Sequence, residues 1–278
     1  MGADRITVSD ANDLAVSVAK MAVFINYDIA FAETGTIVLT DTAANLAAVR
    51  DVQINAFAAT GVTKVDVASD TGMLGNHPLT LSTAKAKAFV DARITFTAGD
   101  TITITEEGLN SAFVVTTDPI TGAVDNNIFV DLKNAGVDGV SFSADVTLTI
   151  RQALGLQAAM VGGFTVTTSS LITIADTQAN LTALLTPANI ALLGTNASIT
   201  TDLLAGKIAV TSGTEVVLTK AQALAMDTYG MAIGGDNQTG VVQDTATAIE
   251  ALVVGDAAKL AGVGVTKCWL HGIRDQGH

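Results

Sequence analysis

The 278-residue sequence holds one cysteine, Cys268, one tryptophan, two tyrosines, three prolines and three histidines. A single thiol excludes an intrachain disulfide framework and any thiolate-based zinc site within one chain. Basic residues are also scarce. Fourteen Lys and Arg stand against 27 Asp and Glu, for a net charge of −13, and no block of basic residues occurs. The cationic footprint that releases counterions from phosphates is missing, so nucleic acid is excluded as an expected partner. Mean hydropathy is +0.47, yet no uninterrupted apolar stretch reaches the roughly 18 residues of a membrane span, and an integral membrane protein is not expected. The run Ala15 to Ile25 is broken by Lys20 and preceded by Asp4, Asp10 and Asp13 in place of a basic region, so it does not read as a cleaved signal. It lacks the basic face of a membrane-surface helix and is expected to pack inward.

What is present is aliphatic and small. The chain is 49% hydrophobic but only 4% aromatic, and it contains 45 Ala and 38 Thr. That apolar content excludes disorder and suits a core of many thin layers. The same composition carries a repeat. Ile37-Val-Leu-Thr-Asp41-Thr-Ala-Ala-Asn45-Leu46 returns as Ile172-Thr-Ile-Ala-Asp176-Thr-Gln-Ala-Asn180-Leu181 and as Val241-Val-Gln-Asp244-Thr-Ala-Thr-Ala-Ile249, with a degenerate copy at Ile102 to Asn110. A second half-unit alternates with it: Leu79-Thr-Leu-Ser-Thr-Ala84, Leu148-Thr-Ile-Arg-Gln-Ala153 and Val217-Leu-Thr-Lys-Ala221. Both recur at about 65 to 70 residues, the regularity a stacked array requires.

Each first half-unit reads as strand, short helix, short helix, strand. β-branched residues alternate with Thr and Ala before the turn, a period of two with one face inward. Asp41, Asp176 and Asp244 then stand where a helix N-cap carboxylate is expected, each worth about 1 kcal/mol. Thr186-Pro187 marks a second helix start, with Asp51 and Gly255-Asp256 in comparable places. Gly61, Gly136, Gly194 and Gly262 or Gly264 are expected to end those helices in left-handed conformation. Val265-Thr-Lys-Cys268-Trp269-Leu270 aligns on Val62-Thr-Lys-Val65-Asp66-Val67, which predicts Cys268 and Leu270 inward and Trp269 outward. The fold expected is therefore α/β, an elongated repeat solenoid of parallel strands and short helices in two half-units. Its parts are a divergent N-terminal capping half-unit (1–36), repeat 1 (37–101), repeat 2 (102–170) with an insertion near 116–127, repeat 3 (171–240), and a partial C-terminal repeat (241–278). The competing organisation is two ordinary α/β domains meeting near residue 170.

The string Val/Ile-x-x-Asp-Thr-x-x-Asn-Leu-x-Ala-Leu, followed by Gly-Val-Thr-x-Val-Asp and Leu-Thr-Leu-Ser/Thr-x-Ala-x-Ala, resembles the Ala/Thr-rich tandem repeats of large bacterial secreted or cell-surface proteins of the type I-secreted, adhesin-like kind. The resemblance spans about residues 37–270 and implies an extracellular or cell-surface location. The Gly-Gly-x-Gly-x-Asp nonapeptide of haemolysin-type calcium sites is absent, with Gly234-Gly235-Asp236-Asn237 the nearest approach, so no calcium site transfers by motif.

Chemistry-bearing residues are few. Cys268-x-x-His271 would point to opposite faces of a strand, and no third group orients His271, so no catalytic residues are assigned and no enzyme is expected. Gly162-Gly163 and Gly234-Gly235 fit turns and match no phosphate-binding pattern. The best ligand or calcium candidates are Asp118, Asp125, Asn126 and Asn127, in the stretch that lengthens repeat 2 with turn formers and oxygen donors. Asp70 with Asn76 and Asp236 with Asn237 offer lesser oxygen sets. No cofactor is expected, structural calcium being the alternative. The function expected is a non-enzymatic structural or spacer segment of a surface or secreted repeat protein that self-associates or meets surface glycan or protein. Behind it stand an adhesin-like glycan- or protein-binding module with calcium dependence and, third, a carbohydrate-active solenoid enzyme.

Overall fold

The computed structural model describes residues 5–7, 13–32, 35–68, 77–106, 128–168, 171–194, 205–235 and 237–270. Two compact units form: Met1–Ser141 with Gly162–Thr167, and Phe142–Val161 with Thr168–His278.

The first unit runs β1 (Arg5–Thr7), β2 (Leu14–Val16), α1 (Val18–Asn26), β3 (Ala30–Ala32), β4 (Ile37–Asp41), α2 (Ala43–Ala48), α3 (Asp51–Ala59), β5 (Val62–Val67), β6 (Pro78–Ser82), α4 (Thr83–Asp91), β7 (Thr95–Phe96), β8 (Thr101–Glu106), α5 (Ile128–Asn134) and β9 (Gly139–Phe142). The chain continues through β10 (Val146–Leu148) and α6 (Ile150–Val161), returns to the first unit for β11 (Thr165–Thr168), and then builds the rest of the second. That remainder is β12 (Ile172–Asp176), α7 (Gln178–Leu184), α8 (Pro187–Leu193), β13 (Ala205–Val210), β14 (Glu215–Leu218), α9 (Lys220–Thr228), β15 (Ala232–Ile233), β16 (Thr239–Asp244), α10 (Ala246–Glu250), α11 (Val254–Gly262) and β17 (Val265–Leu270).

The fold is α/β, with open, mostly parallel sheets and short helices. In the first unit the sheets are β2-β4-β5-β7 and β6-β8-β9-β11, beside a two-stranded β1-β3 pair. In the second they are β10-β12-β13-β15 and β14-β16-β17. First strands begin at Leu14, Pro78, Val146 and Glu215, steps of about 65 to 70 residues, which is the period of the sequence repeat. One rule governs the wiring inside each unit. A fourth strand joins its sheet only after the chain has laid down the first strand of the next sheet and a helix: β7 follows β6 and α4, and β15 follows β14 and α9. Neighbouring half-units are thereby interlocked, and none can bury its apolar side alone.

Alternation on the strands sets the core. Leu79 and Leu81 on β6, and Ile172 and Ile174 on β12, are buried while Thr80 and Thr173 are more open. The helices add Leu46, Ile54, Phe57 and Phe89 in the first unit and Leu181, Ile190, Leu193 and Met226 in the second, all fully buried. Apolar layers of this kind contribute about 25 cal/mol per Å² removed from water. Gly61 and Gly136 close their helices at φ +101° and +96°, and a Cβ on Gly136 would lie 2.9 Å from the Phe96 carbonyl oxygen. Gly194 does not follow: it ends α8 in extended conformation at φ −78°, and the left-handed end expected there is corrected.

Cys268 is a second correction. Its equivalents, Val65 and Ile208, are fully buried, whereas Cys268 is exposed and Leu270 is 38% exposed. Trp269, expected outward, is half-buried, so the burial expected along β17 is not found, and among the described residues no later half-unit lies over this strand.

Candidate functional site

The most regular polar feature is the strand-end aspartate. The helix caps are the threonines that follow it: Thr42, Thr177 and Thr245 cap α2, α7 and α10 by accepting the N–H of Asn45, Asn180 and Ala248. Assignment of those caps to Asp41, Asp176 and Asp244 is therefore corrected. The hydroxyl one residue after the strand-end aspartate is the group that accepts the first-turn N–H.

The aspartates instead tie two half-units together. Asp41 Oδ2 accepts the N–H of Val18 at 2.9 Å, Asp176 Oδ2 that of Ile150 at 3.1 Å, and Asp244 Oδ2 that of Lys220 at 3.0 Å. These are the first residues of α1, α6 and α9, each following the first strand of the sheet to which the aspartate's own strand belongs. Each Oδ1 accepts the N–H of the adjoining threonine at 2.8–2.9 Å. Asn45 and Asn180 add a side-chain N–H at 2.7 Å. Charge, orphan helix N–H groups and the positive helix end all favour this placement. Burial pushes the Asp41 carboxyl up, but the bonds from Asn45, Thr42 and Val18 together hold it below its ordinary value.

Side chains of α4 and α9 reach the C-terminal ends of the short helices. Lys85 Nζ donates to the carbonyls of Ala47, at 2.6 Å, and Val49, Lys220 Nζ donates to Ala251 O at 2.8 Å, and Gln222 Nε2 to Leu185 O at 2.8 Å. Lysines at the negative helix end complement the dipole. Sequence reasoning missed these partners because each lies 31 to 38 residues away along the chain.

One cluster of titratable groups lies apart from these ties. His77 Nδ1 is 3.5 Å from Asp100 Oδ1, and Asp100 Oδ2 accepts the N–H of Val67 at 2.9 Å. Asp66 stands beside them on β5. Burial first, and then the Asp100 charge, push its carboxyl above the ordinary 3.8, against the pull of His77 and a hydrogen bond with Thr40. A carboxyl raised on folding contributes stability that is full below the ordinary value and is lost as pH rises through the raised one. Asp66→Asn is therefore expected to raise the melting temperature at pH 7. The gain should vanish as the pH falls below 3.8; a lower melting temperature at pH 7 would contradict it.

The cavity beside Phe31, Thr36, Ile37, Ala58, Thr60 and Gly61 has a volume of about 500 Å³ and, among the described residues, no ionisable or thiol side chain lines it. Its Thr60 hydroxyl bonds the Phe57 carbonyl at 2.8 Å. Among the described residues no group of three or more His, Cys, Asp or Glu side chains is placed to hold a metal ion, and no helix is long and apolar enough to cross a membrane. Asp118, Asp125, Asn126 and Asn127 lie outside the described residues, as do Asp70, Asn76, Asp236 and His271. No protein-family profile matches the chain, and no curated protein matches it significantly.

Proposed function

We propose that the chain is a non-enzymatic structural segment of a bacterial cell-surface or secreted repeat protein, its interlocked half-units forming a repeat solenoid that acts as a spacer. The observation that carries this reading is the fate of the recurrent polar residues. Asp41, Asp176 and Asp244 recur with the repeat, and in all three copies both carboxylate oxygens accept backbone N–H groups. These bonds give the recurrence of the aspartate an architectural reason in each copy.

The test is calorimetric titration with Ca²⁺ and screening against glycans and proteins, using the chain and its Asp118→Ala/Asp125→Ala variant. A spacer shows no saturable binding in either protein. Saturable Ca²⁺ or glycan binding that the double variant abolishes would replace this reading by the adhesin-like one, and glycan cleavage would replace both.

A further inference from the structure

The two units carry the same junction between a third strand and the sheet that follows it, built from different chemistry. β5 and β13 keep one register on the strands before them: Asp66 and Val67 lie opposite Thr40 and Asp41 of β4, and Ala209 and Val210 lie opposite Ala175 and Asp176 of β12. The next sheets begin alike. Thr101 of β8 donates its N–H to His77 O at 3.0 Å, and Thr239 of β16 donates to Thr214 O at 2.9 Å. Position by position, Asp66, His77 and Asp100 therefore correspond to Ala209, Thr214 and Gln238.

In both units the residue just before β8 or β16 ties down the end of the third strand. Asp100 Oδ2 accepts the N–H of Val67 at 2.9 Å. Gln238 accepts the N–H of Val210 at 2.9 Å through Oε1 and donates to the Val210 carbonyl at 2.7 Å through Nε2. The amide makes this tie without charge. The carboxylate makes it with charge, on a side chain only 5% exposed, and with His77 Nδ1 3.5 Å from its other oxygen.

The other charges nearby are matched in the second unit or already engaged. Alternation turns Val65 and Val67 into the core, where α3 packs, and leaves Asp66 on the opposite face with Lys64. Lys207 holds the place of Lys64, and Asp176 that of Asp41. β7 carries no charge. Lys85 of α4 is bound to the Ala47 and Val49 carbonyls and Lys87 to Asp91, while Asp138 beside β8 accepts the N–H of Ile102 at 2.8 Å. What distinguishes the first unit is the trio itself. Two carboxylates at one partly buried strand end favour uptake of a proton, and because the three groups interact, that proton belongs to the cluster rather than to one residue. The Asp66 carboxyl agrees, raised first by burial and then by the Asp100 charge.

We propose that Asp66, Asp100 and His77 form a proton-operated latch that holds the end of β5 to the start of β8, and that the second unit has the same joint without the latch. With a proton on the cluster one negative charge is offset and the Val67 tie is shut. As rising pH removes that proton, the two carboxylates repel and the tie opens more often, whereas the Gln238 tie does not respond. The sign follows from linkage: a cluster that binds protons more tightly when the junction is shut stabilises it at low pH and loses that contribution as pH rises. The latch goes beyond the spacer reading, because it makes one joint of the segment responsive to acidity, and it stands whether or not the chain binds a ligand.

The test is residue-resolved amide hydrogen exchange on the intact chain, corrected for the intrinsic pH dependence of exchange. The range is about pH 4 to pH 7, over which carboxylates raised by burial and histidines change charge. Protection of the Val67 N–H should fall about tenfold across that range while that of Val210 stays level. Asp66→Asn removes one of the two negative charges, and Asp100→Asn keeps an acceptor for Val67 as Gln238 does for Val210. Each should hold Val67 at its acid level up to pH 7. Level protection of Val67 in the wild type would overturn the latch, as would an equal fall at Val67 and Val210, or a fall at Val67 that either substitution leaves in place. Those outcomes leave the spacer reading standing, whereas a specific ligand found by calorimetry would overturn that reading and leave the latch untouched.

Discussion

Asp176→Ala is expected to lower the unfolding free energy by about 3 kcal/mol, because it removes charge-assisted bonds and strands a helix N–H away from water. Asp176 is 4% exposed and accepts from Ile150, Thr177 and Asn180. An ordinary N-cap would cost about 1 kcal/mol, so urea titration separates the two accounts. A loss near the smaller figure would mean that the carboxylate does no more than cap. Asp244→Ala, which lacks the asparagine bond, should cost less. Asp41 adds a pH dependence. Its carboxyl is held below the ordinary 3.8, so its contribution is full above that value and is lost as pH falls through the lowered one. Asp41→Asn should be less acid-sensitive than wild type in unfolding followed between pH 5 and pH 2, a window taken from general carboxylate linkage.

Phe89→Ala is expected to cost about 4 kcal/mol, the usual range for a phenyl ring removed from a close-packed site. Phe89 on α4 is fully buried, with its ring 5.4 Å from that of Phe96 at an interplanar angle of 67°. It touches the fourth strand of one sheet from the helix that follows the first strand of the next, so the cavity opens where two half-units interlock. Cys268→Ala is the contrast. An exposed thiol on β17 should change stability by less than about 0.5 kcal/mol. Comparable losses in the two variants, measured by denaturant unfolding, would contradict the burial assigned to each.

Local chemistry made much of the fold legible. Ile-x-Ile-x-Asp-Thr announces a strand running into a helix because alternation and a short hydroxyl side chain act within a few residues. Thr186-Pro187 likewise marks the start of α8, where Thr186 caps the N–H of Asn189. Contacts across the repeat were not legible. Asp41, Asp176 and Asp244 reach helix residues 23, 26 and 24 positions earlier, and no local spacing distinguishes an aspartate that caps its own helix from one that ties down another. The recurrence of Asp at the strand end, with Thr already present to cap, was the available signal. Cys268 shows the opposite difficulty. Alternation fixes the side of a strand a residue faces, but burial also needs a neighbour on that side. The candidate ligand residues Asp118, Asp125, Asn126 and Asn127 fall in a stretch of turn formers with no periodicity, and they lie outside the described residues.

The claim on which the rest depends is that each strand-end aspartate holds the first N–H of a helix from another half-unit. Amide hydrogen exchange measured residue by residue tests it most directly, since first-turn helix N–H groups ordinarily have no intrahelical partner and exchange readily. The amides of Val18, Ile150 and Lys220 should be protected, and Asp176→Ala should remove the protection at Ile150 while leaving Val18 protected. Fast exchange at all three in the wild type, or protection at Ile150 that survives the substitution, would contradict the account.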